Sequence, residues 1–431
     1  MLNKLKALLN SSSFIRGSLI YILGSIFLKG VAFILIPLYT IVFTPADYGT
    51  MELINTIMSL LIILVSFGFS QLIYIEYIHL GVAEKISYIK RINFSFNVLA
   101  LPLLVIAGII LYFFQESIFS NRYSIVLIVM MLTIYGSFFQ NNMYTVLQLD
   151  QKPKLVTYNK AIVAIILLVL NILFVKYLKV GIIGVYLANL IAILTSLALL
   201  KRSSSHTQKY LGSQAISKNE VRDLIKLGFP FIITSLAYFG INGIDRFIIK
   251  SMLGKEELGL YSLGFKFGSM LEPLLIAPIL SAYNPHLFKK FSTGDFRMNI
   301  LRNSSIILAV FFVIGLILPF LAKFIIDAKF YYSLNLIPIF VMGFAFLFLS
   351  QMLAAPLLYF KKKKALVYNV VIASVVNVIL NVILIKIFKL HGSAFAFLVT
   401  NIFWFGITLY QAQKINQAYK KTLRQENVDS F

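Results

Sequence analysis

"LVTYNKAIVAIILLVLNILFVKYLKV", Leu155 to Val180, lies on "ALVYNVVIASVVNVILNVILIKIFKL", Ala365 to Leu390, at a fixed offset of 210. Seven of the 26 positions are identical: Tyr158/Tyr368, Asn159/Asn369, Ile162/Ile372, Leu170/Leu380, Asn171/Asn381, Lys176/Lys386 and Lys179/Lys389. Shared greasiness does not explain matched tyrosines, asparagines and lysines inside or beside apolar runs. The same offset carries "PADYG" (Pro45 to Gly49) onto "KEELG" (Lys255 to Gly259). The chain therefore reads as two copies of one bundle. If each copy has six spans, both have the same orientation, related by an axis along the membrane normal. That is the layout of parallel-repeat transporters, which move substrate between their halves by alternating access.

The composition supports a membrane setting. The 431 residues are 59% hydrophobic and only 13% charged, with a mean hydropathy of +0.88. A soluble domain has no way to hide that much apolar surface. Alternating ten-residue segments are missing, which excludes a membrane barrel. With no cysteine in the chain, disulfides, thiolate metal sites and cysteine nucleophiles are excluded.

Twelve spans are expected, at 14–43, 46–77, 88–114, 121–149, 155–178, 180–201, 222–252, 256–288, 297–322, 332–360, 364–388 and 390–412. "MLNKLKALLN" (Met1 to Asn10) reads as an interfacial helix before them, with Ser11 to Ser13 as capping candidates. Of the 39 Lys and Arg residues, 26 fall on the side of the termini and 9 in the opposite loops. The positive-inside rule then makes both termini cytoplasmic. The net charge of +23 thus sets topology and meets anionic headgroups, and no nucleic-acid partner is expected. The polar Lys201–Asp223 segment divides the chain almost in half. The expected organisation is an N-terminal lobe at 1–201, a linker at 202–221, a C-terminal lobe at 222–412 and a tail at 413–431. The expected fold class is an all-α polytopic membrane protein with two six-helix bundles.

"RGSLIYILGSIFLKGVAFILIPLYTIVFTPADYGTMELI" (Arg16 to Ile54) resembles the opening of the Wzx-type oligosaccharide-lipid flippases. These share a superfamily with the MATE drug exporters and the lipid II flippases. Pro37, Leu38, Tyr39 and Thr40 match the turn that ends the first span in that family, and Asp47, Tyr48 and Gly49 match the start of the second. The resemblance implies a V-shaped transporter, not an enzyme. It would carry an undecaprenyl-diphosphate-linked repeat unit from the cytoplasmic to the outer leaflet of a bacterial inner membrane, for O-antigen, capsule or a related polymer. Implied partners are the lipid-linked oligosaccharide, membrane lipids and a polysaccharide polymerase with its chain-length machinery; a monomer is expected.

A charge at the bilayer centre costs about 2.5–3.5 kcal/mol on insertion scales, so each one needs a partner, a wet cavity or a route to the interface. Lys29 in span one, Asp245 and Arg246 in span seven, and Lys266 and Glu272 in span eight are the deep ones. Lys29 is either a helix-bonding lysine or a cation for the diphosphate. Gly264 and Gly268 form a GxxxG face that admits a neighbouring helix. Lys266 points away from that face, toward a cavity, and Glu272 lies nearer to it. Pro273 and Pro278 are expected to bend span eight. Asn242, Asp245 and Arg246 share one face of span seven, where Arg246 either snorkels, binds substrate or pairs locally. Lys29, Arg246 and Lys266 are thus the candidate substrate-binding residues.

The resemblance also implies an ion site, because related lipid II flippases hold sodium among polar residues of spans seven, eleven and twelve. Asp245, Asn377, Asn381 and Thr400 are the corresponding oxygens here, although span eleven supplies amides and no carboxylate. Helix packing is the competing reading of those asparagines. No cofactor is expected, and the coupling ion is Na+ or H+, with Glu272 and Asp245 as the proton or sodium candidates. No GxxxxGK[ST] loop is present, so ATP is not the direct energy source. Two other functions compete. A MATE-like exporter of cationic drugs wants acidic residues to dominate the cavity. A membrane glycan polymerase or glycosyltransferase wants a large external or carboxylate-rich loop.

Overall fold

The computed structural model describes residues 30–31, 33–119, 123–203, 205–293 and 300–428. Lys29, the amphipathic segment at 1–10 and Ser11 to Ser13 lie outside them. Among the described residues every regular element is helical, and ten helices are long and apolar enough to cross a membrane. One of the ten, Lys364–Ile415, is 52 residues long. It belongs to a continuous helical run, Lys363–Val428, that is broken at Lys389, where φ is 54°. The chain is a multi-pass membrane protein.

The described chain forms two compact units. One contains the residues up to Phe43 and Leu53–Leu236, and the other contains Thr44–Glu52 and the chain from Ala237 onward. The first unit holds α1 (Phe33–Val42), most of α2 (Pro45–Ser66), α3 (Phe69–Glu76), α4 (Val82–Phe119), α5 (Ser124–Leu149), α6 (Pro153–Asn171), α7 (Ile182–Ser203), the short α8 (Ser205–Tyr210) and most of α9 (Lys218–Asn242). Phe96 of α4 and Phe138 of α5 stack with centroids 3.5 Å apart. The segment after α8 lies along α4: the Asn93 amide donates to the carbonyls of Tyr210 and Gly212, at 2.8 and 3.0 Å. The backbone N–H of Gln214 donates to the Lys90 carbonyl at 3.1 Å.

The second unit holds α10 (Ile244–Met252), α11 (Lys255–Ser269), a π-turn at Glu272–Ile276, α12 (Ala277–Ser292), α13 (Ile300–Lys323), a 3-10 stretch (Ala328–Leu336), α14 (Ile337–Tyr359), and the two helices either side of Lys389, α15 (363–388) and α16 (390–428). Its core runs through Ala328–Tyr359, whose apolar window is 72% buried against 17–44% for the other nine candidate spans. The GxxxG face of α11 packs there as its spacing predicts. A Cβ on Gly268 would sit 2.7 Å from the Phe340 Cβ, and one on Gly264 would sit 3.0 Å from the Ser333 carbonyl. Pro273 has no N–H to give its turn, and the helix answers with the π-turn over Glu272–Ile276. The exposed surface of both units carries large apolar side chains, such as Ile106, Phe113, Leu316 and Ile387, as a lipid-facing surface requires.

The backbone repeats what the sequence repeats. A positive φ is uncommon for a non-glycine residue, yet Gln151 and Lys361 both have φ 55°. Lys179 and Lys389, with φ 50° and 54°, form a second pair. Each pair is 210 positions apart. In each copy the turns before and after the matched helix are closed by the same rare conformation. The matched asparagines serve packing in both units. Asn159 accepts from Tyr144 and Ser196, each at 2.6 Å, while Asn369 and Gln411 exchange amide hydrogen bonds at 2.9 and 2.8 Å.

Candidate functional site

The site lies within the second unit and starts from a broken helix. In "GINGIDRF" (Gly240 to Phe247) the run of α9 stops at Gly243 and α10 restarts at Ile244. A helix break deep in an apolar chain leaves backbone groups without partners, each expensive in lipid. The two charged residues that follow supply those partners. The Arg246 guanidinium donates to the Asn242 carbonyl, and the Asp245 carboxylate accepts the Arg246 backbone N–H at 3.0 Å. The two side chains pair with each other at 2.8 Å. Asp245 and Arg246 are only 1% and 7% exposed, so the charges exist at that depth because they cap a break and neutralise each other.

The second Asp245 oxygen accepts from the Tyr261 hydroxyl of α11. The guanidinium carbon lies 4.4 Å from the centroid of the Phe265 ring, a cation–π contact. Phe265 in turn packs edge-on against Phe340 and Phe397, at 5.3 and 5.4 Å. Hydrogen bonds also cross between α15 and α16. Ser393 of α16 donates to the Asn381 side-chain oxygen of α15 at 2.6 Å. The Asn381 amide donates to Asn377 Oδ1 at 2.9 Å, and the Asn377 amide donates to Thr400 at 3.1 Å. Asn377, Asn381 and Thr400 therefore belong to one chain of hydrogen bonds with Ser393, while Asp245 belongs to a separate group with Arg246 and Tyr261.

Lys266, one turn before the end of α11, has a different setting. Its ammonium reaches the Tyr48 hydroxyl at 3.3 Å and the Glu52 carboxylate at 3.8 Å. Both partners come from the first turns of α2, in the Thr44–Glu52 segment of this unit. The Lys266 side chain remains 30% exposed and that of Glu52 16%, so this pair is far less enclosed than Asp245–Arg246. Glu52 also acts electrostatically on Arg246. Glu272 stands apart from both pairs, at the start of the π-turn and within electrostatic range of Tyr238.

The α2–α11 crossing that brings Glu52 to Lys266 depends on two glycines. A Cβ on Gly49 would lie 1.9 Å from the Lys255 carbonyl oxygen, and one on Gly259 would lie 1.9 Å from the Pro45 carbonyl oxygen. These are the last residues of "PADYG" and "KEELG", again 210 apart. The repeat thus forms a contact of two equivalent glycines, and Tyr48 and Glu52 flank it.

The sequence expectation left Arg246 open between snorkelling, binding substrate and pairing locally, and pointed Lys266 toward a cavity. The structure gives each a carboxylate, Asp245 and Glu52, so these four charges sum to zero. Tyr261, Tyr48 and the Glu52 partnership were missed. The signal for the break was present, because Gly240 and Gly243 precede the charges. Nothing in a single sequence pairs Lys266 with a residue 214 positions earlier.

The oxygens named for sodium do not fit a sodium cage. Asp245 already neutralises a guanidinium and accepts from Tyr261, and the side-chain oxygens of Asn377, Asn381 and Thr400 each accept a hydrogen bond. The unpartnered buried side-chain atoms among the described residues are on Tyr88, Asn93, Asn142, Asp150, Ser262, Asn284 and Asn401, none of them in this set. A second monovalent cation about 4 Å from the guanidinium would be opposed by roughly 4 kcal/mol at an effective dielectric of 20.

Known proteins place this architecture. An inward-facing multidrug resistance MATE family transporter of the MOP superfamily superposes with a TM-score of 0.69 at 14% identity, over 94% of this chain and 96% of that one. The lipid II flippase MurJ in an inward closed conformation gives 0.69 at 14% identity, over 97% and 93%. A point mutant of the Vibrio cholerae MATE transporter VcmN gives 0.58 at 14% identity, over 96% and 97%. These similarities show the fold. The comparison with curated proteins finds no match. The sequence profile of the polysaccharide biosynthesis protein family matches residues 14–291, which is well over half of the chain, and the chain belongs to that family, the Wzx-type flippase family.

Proposed function

We propose that the protein flips an undecaprenyl-diphosphate-linked oligosaccharide repeat unit from the cytoplasmic to the outer leaflet of a bacterial cytoplasmic membrane. Its two halves would do so by alternating access, with both termini cytoplasmic, to supply O-antigen, capsule or a related polymer. The family match over 14–291 carries this reading, and the fold shared with a lipid II flippase supports it. Lys29 and Lys266 are assigned to the diphosphate. Lys266 is suited to that part because its ammonium is partly exposed and its partner Glu52 sits at the long distance of 3.8 Å. A phosphate oxygen can compete with Glu52 for the ammonium through a charge-assisted hydrogen bond. The membrane potential, negative inside, gains about 2.3 kcal/mol per 100 mV for each negative charge carried outward. A polymerase and its chain-length machinery are the proposed downstream partners.

In the native host, loss of the protein is expected to stop display of the surface polymer and to make lipid-linked repeat units accumulate. Complementation with Lys266→Ala is expected to restore less than about a tenth of the export, the effect of losing one charged contact of ~1.5–3 kcal/mol, at normal membrane abundance. Lys266→Arg is expected to keep most of it. Normal polymer and no accumulated intermediate in the deletion strain would sink the proposal. Ethidium retention separates the exporter reading, and it is expected to be unchanged.

A further inference from the structure

We propose that Arg246 is a built-in coupling cation. Its guanidinium occupies, permanently and on a covalent tether, the place beside Asp245 that a mobile monovalent cation would otherwise take. The second unit would then keep its polar core neutral without sodium.

Three observations carry this. Asp245 is a buried carboxylate, and a buried anion needs a cation. It has one at 2.8 Å from the next residue in the chain. The guanidinium is surrounded as a bound ion is, by a carboxylate oxygen, the Asn242 carbonyl and the π-face of Phe265. The third is connectivity. Tyr261 of α11 donates to the second Asp245 oxygen, and Phe265 of the same helix covers the guanidinium. The break before α10 and the facing side of α11 thus both close on that positive charge and its carboxylate. A cation that came and went would make or break the arrangement, whereas a tethered one fixes it.

Removing the tethered charge should expose a vacant cation site beside Asp245, open to a free ion whatever the cargo. The chain has one tryptophan, Trp404, one turn after Thr400 on α16. It is buried, with its ring edge-on to Tyr238 of α9 at 5.7 Å, so its fluorescence reports on this part of the unit.

Full-length protein in detergent should show the same Tm and the same tryptophan emission in NaCl, KCl and choline chloride at about 0.15 M. Arg246→Ala should melt lower in choline chloride and regain about 3 °C or more in NaCl, with a saturable change in emission that choline does not give. Arg246→Gln is the second neutral variant. Asp245→Asn/Arg246→Gln, lacking both charges, should respond to no cation. A saturable, sodium-specific response of the wild type would overturn the proposal. So would folded Arg246→Ala and Arg246→Gln that ignore sodium, failure of both to fold even in sodium, or a sodium response surviving in the double variant. None of these outcomes depends on which lipid is flipped, so the proposed function and this inference fail separately.

Discussion

Gly49→Ala and Gly259→Ala are each expected to remove most of the folded protein from the membrane. The added methyl would fall 1.9 Å from a backbone carbonyl oxygen in either case, Lys255 for Gly49 and Pro45 for Gly259. Neither neighbour is a side chain that can rotate away. The opposing helix N-terminus has to shift by more than an ångström, and α11 is already held on its other face by Gly264 and Gly268 against Ser333 and Phe340. Overpacking of this kind costs about 3 kcal/mol, a large share of the stability of a typical domain. Membrane abundance and the monodisperse peak in detergent should each fall several-fold, with Gly49→Ala/Gly259→Ala worse than either alone. Gly406→Ala is the control, because nothing lies within 4 Å of a Cβ there; it should behave as wild type. Normal abundance of both single variants would show that the α2–α11 crossing is looser than its geometry.

That crossing also shows what a single sequence reveals and what it hides. The repeat was legible because two copies of one fold must solve the same backbone problems. Polar matches at an offset of 210 mark them, and the paired left-handed residues Gln151/Lys361 and Lys179/Lys389 realise them. The packing of α11 was legible because GxxxG leaves only one face for close approach. The break at Asp327 and the 3-10 stretch after it begin inside the expected loop before span ten. The interior of the site was much less legible. The depth of Asp245 and Arg246 was plain from the hydropathy, but their purpose depends on a helix break whose orphan carbonyl belongs to Asn242. The role of Glu52 was hidden, because its partner is on another helix and helical spacing relates only residues a few positions apart. Spacing fixes which residues share a face; it does not say which face of which helix they meet.

The second large effect concerns which charge of the buried pair can be removed alone. Asp245→Ala strands the Arg246 guanidinium, 7% exposed, with only a carbonyl, an aromatic ring and the more distant Glu52 to hold it. It also leaves the Tyr261 hydroxyl without its acceptor. Breaking a buried pair on one side costs about 3–5 kcal/mol, whereas removing both charges together is often nearly neutral. Asp245→Asn/Arg246→Gln keeps an acceptor for Tyr261 and a donor for Asn242, so it avoids the additional penalty of unpaired polar atoms. The double variant is therefore expected to be more stable than Asp245→Ala, and a cycle through Asp245→Asn and Arg246→Gln should show a coupling of about 2 kcal/mol or more. Thermal unfolding of the purified proteins in one detergent measures this directly. If the two single changes simply add, the pair is incidental to folding and the surrounding packing holds the helices without it. If they couple as expected while polymer export by the double variant still fails, the charges are needed for transport beyond their part in the fold.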